Sequence, residues 1–131
     1  MMRNRYIHFT INVKDAESND VQLIASHFDS NIRIWDFYAG FLKKKIKIEN
    51  RVSLGGICLW KNNYLFSVCK SGEIKYVDLE NGKIMGNIGA QSGQIANIEK
   101  VNHPVFGVCL LTQSLGINKI KFWIKQKSIN I

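Results

Sequence analysis

A chain of 131 residues has the length of one domain, and a composition of 46% hydrophobic and 21% charged residues excludes a disordered or low-complexity chain. The formal net charge of +8 admits an anionic partner such as nucleic acid or an anionic membrane surface. No apolar run approaches the roughly 20 residues that span a bilayer, and no apolar core of a signal peptide is present. We therefore expect an intracellular protein, cytoplasmic or nuclear, without a membrane span.

Four short strands are predicted in the first part of the chain. HFTINV at 8–13 is a strand candidate, LIAS at 23–26 is a short apolar run, and IRIWD at 32–36 alternates with period two. The segment FYAGFLKKKIKI at 37–48 passes Gly40 and opens a fourth strand. No segment sustains a period of 3.6 over helical length, so we expect little or no helix.

The same four elements return in the second part of the chain. GGICLW at 55–60, LFSV at 65–68 and LENGKIMGNI at 79–88 are the counterparts of the flanking strands, and IKYVD at 74–78 repeats IRIWD. Asn81-Gly82 within the fourth segment is a strong signal for a tight turn, because both residues tolerate positive φ. The spacing from the start of IRIWD to the start of IKYVD is a period of roughly 40 to 45 residues, which predicts a repeat fold.

The third part repeats the pattern with a longer spacing. IANIEKV at 95–101, VFGV at 105–108 and IKFWI at 120–124 are the predicted strands. Phe106 and Trp123 are further apart along the chain than Phe66 and Val77, the equivalent residues of the second unit. The six extra residues are predicted to form a long loop within LLTQSLGIN.

Four strands per unit, a period of roughly 40 to 45 residues and Trp35-Asp36 at the end of a third strand resemble the WD40 family of β-propellers. The resemblance covers nearly the whole chain, as repeats at about 7–48, 52–88 and 95–131. It implies an all-β fold, namely a partial, open propeller of about three four-stranded antiparallel blades.

The resemblance also implies a hydrogen-bonded structural tetrad in the first repeat, formed by His8, Ser26, Asp29 and Trp35. The second repeat departs from the family pattern, since Val77 replaces the tryptophan and Ser71 the turn aspartate, although Asp78 is retained. The third repeat keeps Trp123 but has Ile124 in place of the aspartate.

Three blades are too few to close a propeller, which typically has 4 to 8. An open arc leaves two blade faces bare, and these faces are more apolar than the surface of a monomer. We therefore expect that further blades, from the same or another chain, complete the ring.

The residue types of catalytic and metal sites are scattered. His8, His27 and His103 are far apart, and HExxH, CxxC and GxSxG spacings are absent. His103 is expected to be solvated, and Cys58, Cys69 and Cys109 to be buried thiols, because each lies in an apolar run. The sequence predicts no enzyme, no cofactor and no metal site.

The predicted function is a non-catalytic scaffold for protein–protein interaction. Loops on a rigid scaffold commonly carry binding specificity, so the candidate interaction loop is Leu111, Thr112, Gln113, Ser114 and Leu115. The alternative is a module that binds nucleic acid or anionic lipid through the basic patch of Lys43, Lys44, Lys45 and Lys47. Lysines on an edge strand also prevent sheets from aggregating, which is the purely structural explanation of this patch.

Overall fold

The computed structural model describes residues 8–27, 29–48, 56–61, 63–69, 72–90, 95–114 and 120–123. Within these ranges the chain forms eleven β-strands and no helix. The strands are β1 (His8–Asp15), β2 (Asp20–Ser26), β3 (Asn31–Asp36), β4 (Leu42–Lys47), β5 (Ile57–Lys61), β6 (Tyr64–Val68), β7 (Glu73–Asp78), β8 (Lys83–Ala90), β9 (Ile95–His103), β10 (Gly107–Ser114) and β11 (Ile120–Trp123).

The strands form three antiparallel sheets, each ordered as the chain runs: β1 to β4 (blade 1), β5 to β8 (blade 2) and the described strands β9 to β11 (blade 3). The first strands lie side by side, because β1 contacts β5 and β5 contacts β9. Small antiparallel sheets that meet along their first strands are the blades of a β-propeller. The predicted fold is confirmed: the chain is an all-β, open propeller segment of about three blades.

The turns between second and third strands repeat with the predicted period. The backbone NH of His27 donates to the carbonyl of Asn31 at 3.0 Å, and in blade 2 the NH of Cys69 donates to the carbonyl of Glu73 at 2.8 Å. The two hydrogen bonds have the same spacing along the chain as IRIWD and IKYVD. Blades 1 and 2 are therefore built from the same unit.

Positive φ recurs at the same spacing. It occurs at Ser30 (66°) and Gly72 (91°) before the third strands, and at Gly40 (79°) and Gly82 (69°) before the fourth strands. Glycine adopts this conformation without steric cost, which explains its place in three of the four turns.

Two apolar layers between the blades hold the arc together. The layer between blades 1 and 2 contains Ile24, Ile32, Ile34, Ile46, Ile48, Leu65, Cys69, Val77 and Leu79. The layer between blades 2 and 3 contains Cys58, Trp60, Phe66, Val68, Ile74, Ile88, Ile98 and Leu110. Both faces of blade 2 are therefore covered.

Strand β6 supplies both layers because successive side chains point to opposite faces of a sheet. Leu65 belongs to the layer with blade 1, while its neighbour Phe66 belongs to the layer with blade 3. Both side chains are fully buried. A strand buried on two faces is almost continuously apolar, as LFSV is, and does not alternate between apolar and polar residues.

The prediction for the second strand of blade 3 was wrong. VFGV at 105–108 straddles a turn at 104–106, and residues 107–114 form β10. Pro104 has no amide hydrogen to pair and Gly107 has a φ of 79°, so the chain reverses at this point. The extra residues of the third unit lengthen the β9–β10 hairpin and do not form a loop at 110–114.

Candidate functional site

The predicted tetrad does not come together as one hydrogen-bonded group. His8 pairs with Ser26 across β1 and β2, and Ser26 pairs with Ile32, a residue of the layer facing blade 2. Trp35 pairs with Leu23 and follows Ile34, which faces blade 2, so its side chain lies on the other face of the sheet. The spacing of Ser26 and Trp35 in the sequence does not show that their side chains lie on opposite faces of the sheet.

The fourth tetrad residue, Asp29, is engaged by a partner that the sequence analysis did not consider. Arg33 donates two hydrogen bonds to the carboxylate, at 2.7 and 3.1 Å, and the backbone NH of Asn31 donates a third at 3.2 Å. The hydrogen bonds from Arg33 hold the pKa of Asp29 well below its usual range, and the same contact raises the pKa of Arg33. Asp29 therefore fixes the turn between β2 and β3.

His8 lies at the meeting point of the three blades. A Cβ built on Gly56, just before β5, would lie 3.5 Å from His8 Nδ1 and 3.4 Å from Ile98 Cγ2. Gly56 thus allows the first strands to approach closely, and His8 packs against the glycine at this junction.

The aspartate of the Trp-Asp pair closes the turn that follows the third strand. Asp36 Oδ1 accepts hydrogen bonds from the backbone NH groups of Tyr38 (3.0 Å) and Ala39 (2.7 Å). An aspartate that binds backbone amides two and three residues ahead forms a side-chain-stabilised turn. The chain therefore reverses directly after Trp35-Asp36.

Asp78 does the same at the equivalent position of blade 2. Its Oδ1 accepts from the NH groups of Glu80 (3.0 Å) and Asn81 (3.2 Å), and its Oδ2 accepts from Asn81 Nδ2 at 2.7 Å. The hydrogen bond from the Asn81 side chain lowers the pKa of Asp78. The turn is thus retained in the blade whose tryptophan position holds Val77.

Four of the five residues of the candidate interaction loop lie in a strand, contrary to the prediction. Leu111, Thr112, Gln113 and Ser114 lie in β10, and Thr112 is only 1% exposed. Leu115 lies outside the described residues. Leu111, Thr112 and Gln113 pair with both β9 and β11, and Ser114 pairs with β9, so these four residues belong to the sheet and not to a variable loop.

The turn of the same hairpin is capped by His103, a role that the sequence did not predict. Its Nδ1 accepts hydrogen bonds from the NH groups of Val105 (3.0 Å) and Phe106 (3.2 Å). The Val105 side chain is 78% exposed at the tip. His103 therefore stabilises this turn.

Blade 1 has an apolar face that no described residue covers. This outward face, on the side away from blade 2, carries the apolar residues Phe9, Ile11, Val13, Trp35 and Leu42, and at its other end the charged residues Arg33, Lys45 and Lys47. Phe9 is 68% exposed and Val13 is 58% exposed, whereas Trp35 is partly buried. The bare blade face expected of an open arc is present at this end of the described structure.

The basic patch divides into two sets. Lys45 and Lys47 are exposed along β4, whereas Lys44 pairs with Ile34 and turns toward blade 2. Lys44 Nζ donates to the carbonyls of Leu79, at 3.1 Å, and Glu80. Lys44 therefore ties blade 1 to the β7–β8 turn of blade 2.

A cavity of about 240 Å³ lies where Lys44 crosses between the blades. We name it the lysine cleft, and its polar lining consists of Lys14, Gln22, Lys43, Lys44, Asn63 and Glu80. Asn63 Nδ2 donates to Glu80 Oε1 at 3.0 Å. Three ammonium groups and one carboxylate give the lining a positive charge.

Metal binding and thiol reactivity were the remaining possibilities for chemistry in the described part of the chain. No group of three or more His, Cys, Asp or Glu residues there could hold a metal ion, and no helix there could cross a membrane. Cys58, Cys69 and Cys109 are free and buried, as predicted. Burial raises the pKa of the Cys58 thiol to about 11, which makes it a poor nucleophile.

Comparison with known proteins finds a solved structure of similar fold. No family model matches the chain. No curated protein matches it either. One solved structure, titled "Crystal Structure of Mitotic Checkpoint Complex", contains a chain with a TM-score of 0.65 and 16% identity, over 82% of this chain and 32% of that one. The present chain thus spans about a third of the solved chain, and at this identity the likeness shows the fold alone.

Proposed function

We propose that this chain is a WD40-repeat segment that serves as a non-catalytic scaffold for protein–protein interaction. The observation that carries the proposal is the bare outward face of blade 1, where Phe9 and Val13 are more than half exposed. Apolar patches of this kind mark surfaces that bind other proteins. A solved structure with a similar fold belongs to a multi-protein complex, which agrees with this role.

The WD40 assignment rests on the turn aspartates. Asp36 and Asp78 stand one repeat period apart and hold equivalent turns, and Gly40 and Gly82 follow them at the same offset. Trp35 precedes the first aspartate. These features support a WD40 repeat in blade 1 and a degenerate one in blade 2.

The proposed occupant of the outward face is a further β-sheet blade supplied by another polypeptide. The two interfaces inside the chain already pack one apolar sheet face on another. The outward face continues this series, because Phe9, Ile11 and Val13 alternate along β1 as residues of a blade interface do. A second sheet would cover them in the same way.

A binding assay with two matched double variants tests this proposal. Proteins captured by the immobilised chain are identified by mass spectrometry, purified, and tested again for direct binding. Phe9→Lys/Val13→Lys places charges on the outward face and should abolish binding of the purified partner. Val105→Lys/Val108→Lys changes two apolar side chains that are 78% and 44% exposed on blade 3, and should leave binding intact. Equal binding by both variants, or no direct partner, would contradict the proposal.

A further inference from the structure

The first hairpins of the three blades differ in length. Leu23, Leu65 and Leu110 occupy equivalent positions, because each pairs with the equivalent residue of the third strand. The part of each first hairpin that extends past this leucine and its partner on the first strand comprises residues 12–22 in blade 1, 60–64 in blade 2 and 101–109 in blade 3. The short hairpin of blade 2 lies between two longer ones, so the propeller has a recess at this end of blade 2.

The part of this recess between blades 1 and 2 is the lysine cleft, and blade 1 supplies its positive wall. Lys14 projects from the long β1–β2 hairpin, and Lys43 and Lys44 stand at the start of β4. Lys44 is held in place by the carbonyls of Leu79 and Glu80. Lys14 and Lys43 are exposed. The cleft therefore has one fixed cation at its wall and two cations that can reach a ligand.

Blade 3 adds a cation on the other side of the short hairpin. Lys100 Nζ donates to the carbonyl of Trp60 at 2.7 Å and lies 5.6 Å from the centre of the Trp60 ring. The exposed Lys61 follows Trp60 on β5. Lys61 and Lys100 lie outside the lysine cleft, and the exposed Asp15, Glu17 and Asp20 stand on the β1–β2 hairpin, so the excess of positive charge is confined to the lining of the cleft.

We propose that the lysine cleft binds the carboxylate side chains of an acidic segment of a partner protein. This inference rests on the proposed scaffold function and names the chemistry of one partner. Ammonium groups form charge-assisted hydrogen bonds with carboxylates, and the amides of Gln22 and Asn63 line the same cavity. The Glu80 carboxylate already accepts a hydrogen bond from Asn63 and leaves the cleft with an excess of cations.

The size of the cleft favours protein side chains over a small molecule. Sites for small organic ligands usually measure about 300 to 1,000 Å³. The cleft, at about 240 Å³, is smaller. It accepts one or two side chains of a segment that otherwise lies across the surface, and complementary charge steers such a segment to it.

Exposed aromatic residues lie in the turn that leads to Lys43 of the cleft and could add an apolar contact. Phe37, Tyr38 and Phe41 lie in the β3–β4 turn just before Lys43, and each is about half exposed or more. Phe37 and Tyr38 pack edge to face with ring centroids 5.5 Å apart. Aromatic side chains are enriched in protein interfaces, so the segment that fits here combines acidic residues with an apolar one.

Fluorescence anisotropy with two labelled probes tests the proposal. One probe is a short peptide of glutamate and aspartate with a central leucine, and the other is an oligouridylate of similar charge. We expect the 131-residue chain to bind the peptide more tightly than the oligouridylate, with binding that weakens as salt rises. Lys14→Ala/Lys43→Ala should weaken peptide binding by about tenfold.

The matched control is Lys45→Ala/Lys47→Ala, which removes the same charge from the exposed part of β4 outside the cleft. It should change peptide binding by less than about twofold, because long-range attraction between exposed charges is screened by salt. Equal weakening by both variants, or tighter binding of the oligouridylate, would overturn the proposal in favour of a general polyanion surface.

Absence of peptide binding would also overturn the proposal without affecting the scaffold function. The outward face of blade 1 is probed by Phe9→Lys/Val13→Lys, and those residues do not line the cleft. A partner that needs the outward face but ignores Lys14 and Lys43 would leave the scaffold function standing and contradict the acidic ligand alone.

Discussion

Individual carboxylates set the turns of this protein. Asp36 and Asp78 each accept two backbone NH groups at the end of a third strand, and Asp29 binds Arg33 and Asn31 before one. Ionised acceptors form stronger hydrogen bonds than neutral ones. Asp36 and Asp78 therefore shape the backbone in the same way, although Asp36 follows Trp35 and Asp78 follows Val77.

The Asp29–Arg33 pair predicts a pH dependence of stability. Because Arg33 lowers the pKa of Asp29 in the folded state, the pair stabilises the fold fully above the ordinary aspartate pKa of about 4. This contribution is lost as the pH falls below about 4 toward the lowered pKa. The Asp29 side chain is 49% exposed, so the effect at neutral pH is only about 0.5 to 1 kcal/mol.

Urea denaturation of Asp29→Asn at several pH values checks this prediction. The variant should have a lower free energy of unfolding than the parent at pH 7, and the difference should shrink as the pH is lowered below about 4. Asp20→Asn removes an exposed carboxylate at the start of β2 and is the control for the loss of one negative charge. A constant difference between Asp29→Asn and the parent at all pH values would contradict the assigned role.

At the scale of strands, alternation decides which blade each side chain meets. Phe66 is fully buried, and its ring lies 5.3 Å from that of Trp60 and 5.2 Å from that of Tyr76. Its removal leaves a cavity between blades 2 and 3. The Phe9 ring is 68% exposed on the outward face, so its removal leaves no cavity.

Phe66→Ala should therefore lower the free energy of unfolding by about 3 to 5 kcal/mol. The matched substitution Phe9→Ala should change it by no more than about 0.5 kcal/mol at protein concentrations low enough for the chain to be monomeric. Chemical denaturation followed by circular dichroism compares the two. Similar losses for both variants would mean that the outward face is covered and that the blade arrangement is wrong.

Most strands could be predicted from the sequence because one constant period relates the second, third and fourth strands of blade 1 to those of blade 2. The second strand of blade 3 could not. FGVC at 106–109 imitates FSVC at 66–69, but Pro104 and Gly107 turn the chain there. A local likeness of a few residues did not outweigh turn chemistry, and only strand pairing shows that Leu110 is equivalent to Leu65.

The candidate sites were less predictable than the strands. The tetrad required four side chains on one face of the sheet. Whether Ser26 and Trp35 share a face depends on how β2 pairs with β3. The lysine cleft joins residues that are distant in sequence, such as Lys14, Lys44 and Asn63. No motif relates them, because the packing of blade 1 on blade 2 brings them together.

The described blades of the whole molecule form an arc that does not close. Two blade interfaces are complete, while the outward face of blade 1 presents exposed apolar residues, of which Phe9, Val13 and Leu42 are examples. Burial of such residues is worth about 1.5 to 3 kcal/mol per large side chain. The arc should therefore gain stability whenever another sheet covers this face.

The most direct test is the solution mass of the isolated chain by light scattering, combined with a thermal melt by circular dichroism. We expect a mass above 15.0 kDa, because the bare face associates. A defined multiple with a cooperative melt would mean that copies of the chain cover one another, and aggregation would mean that the covering blade belongs to a different polypeptide. A monodisperse 15.0 kDa monomer with a cooperative melt at every concentration would contradict the account.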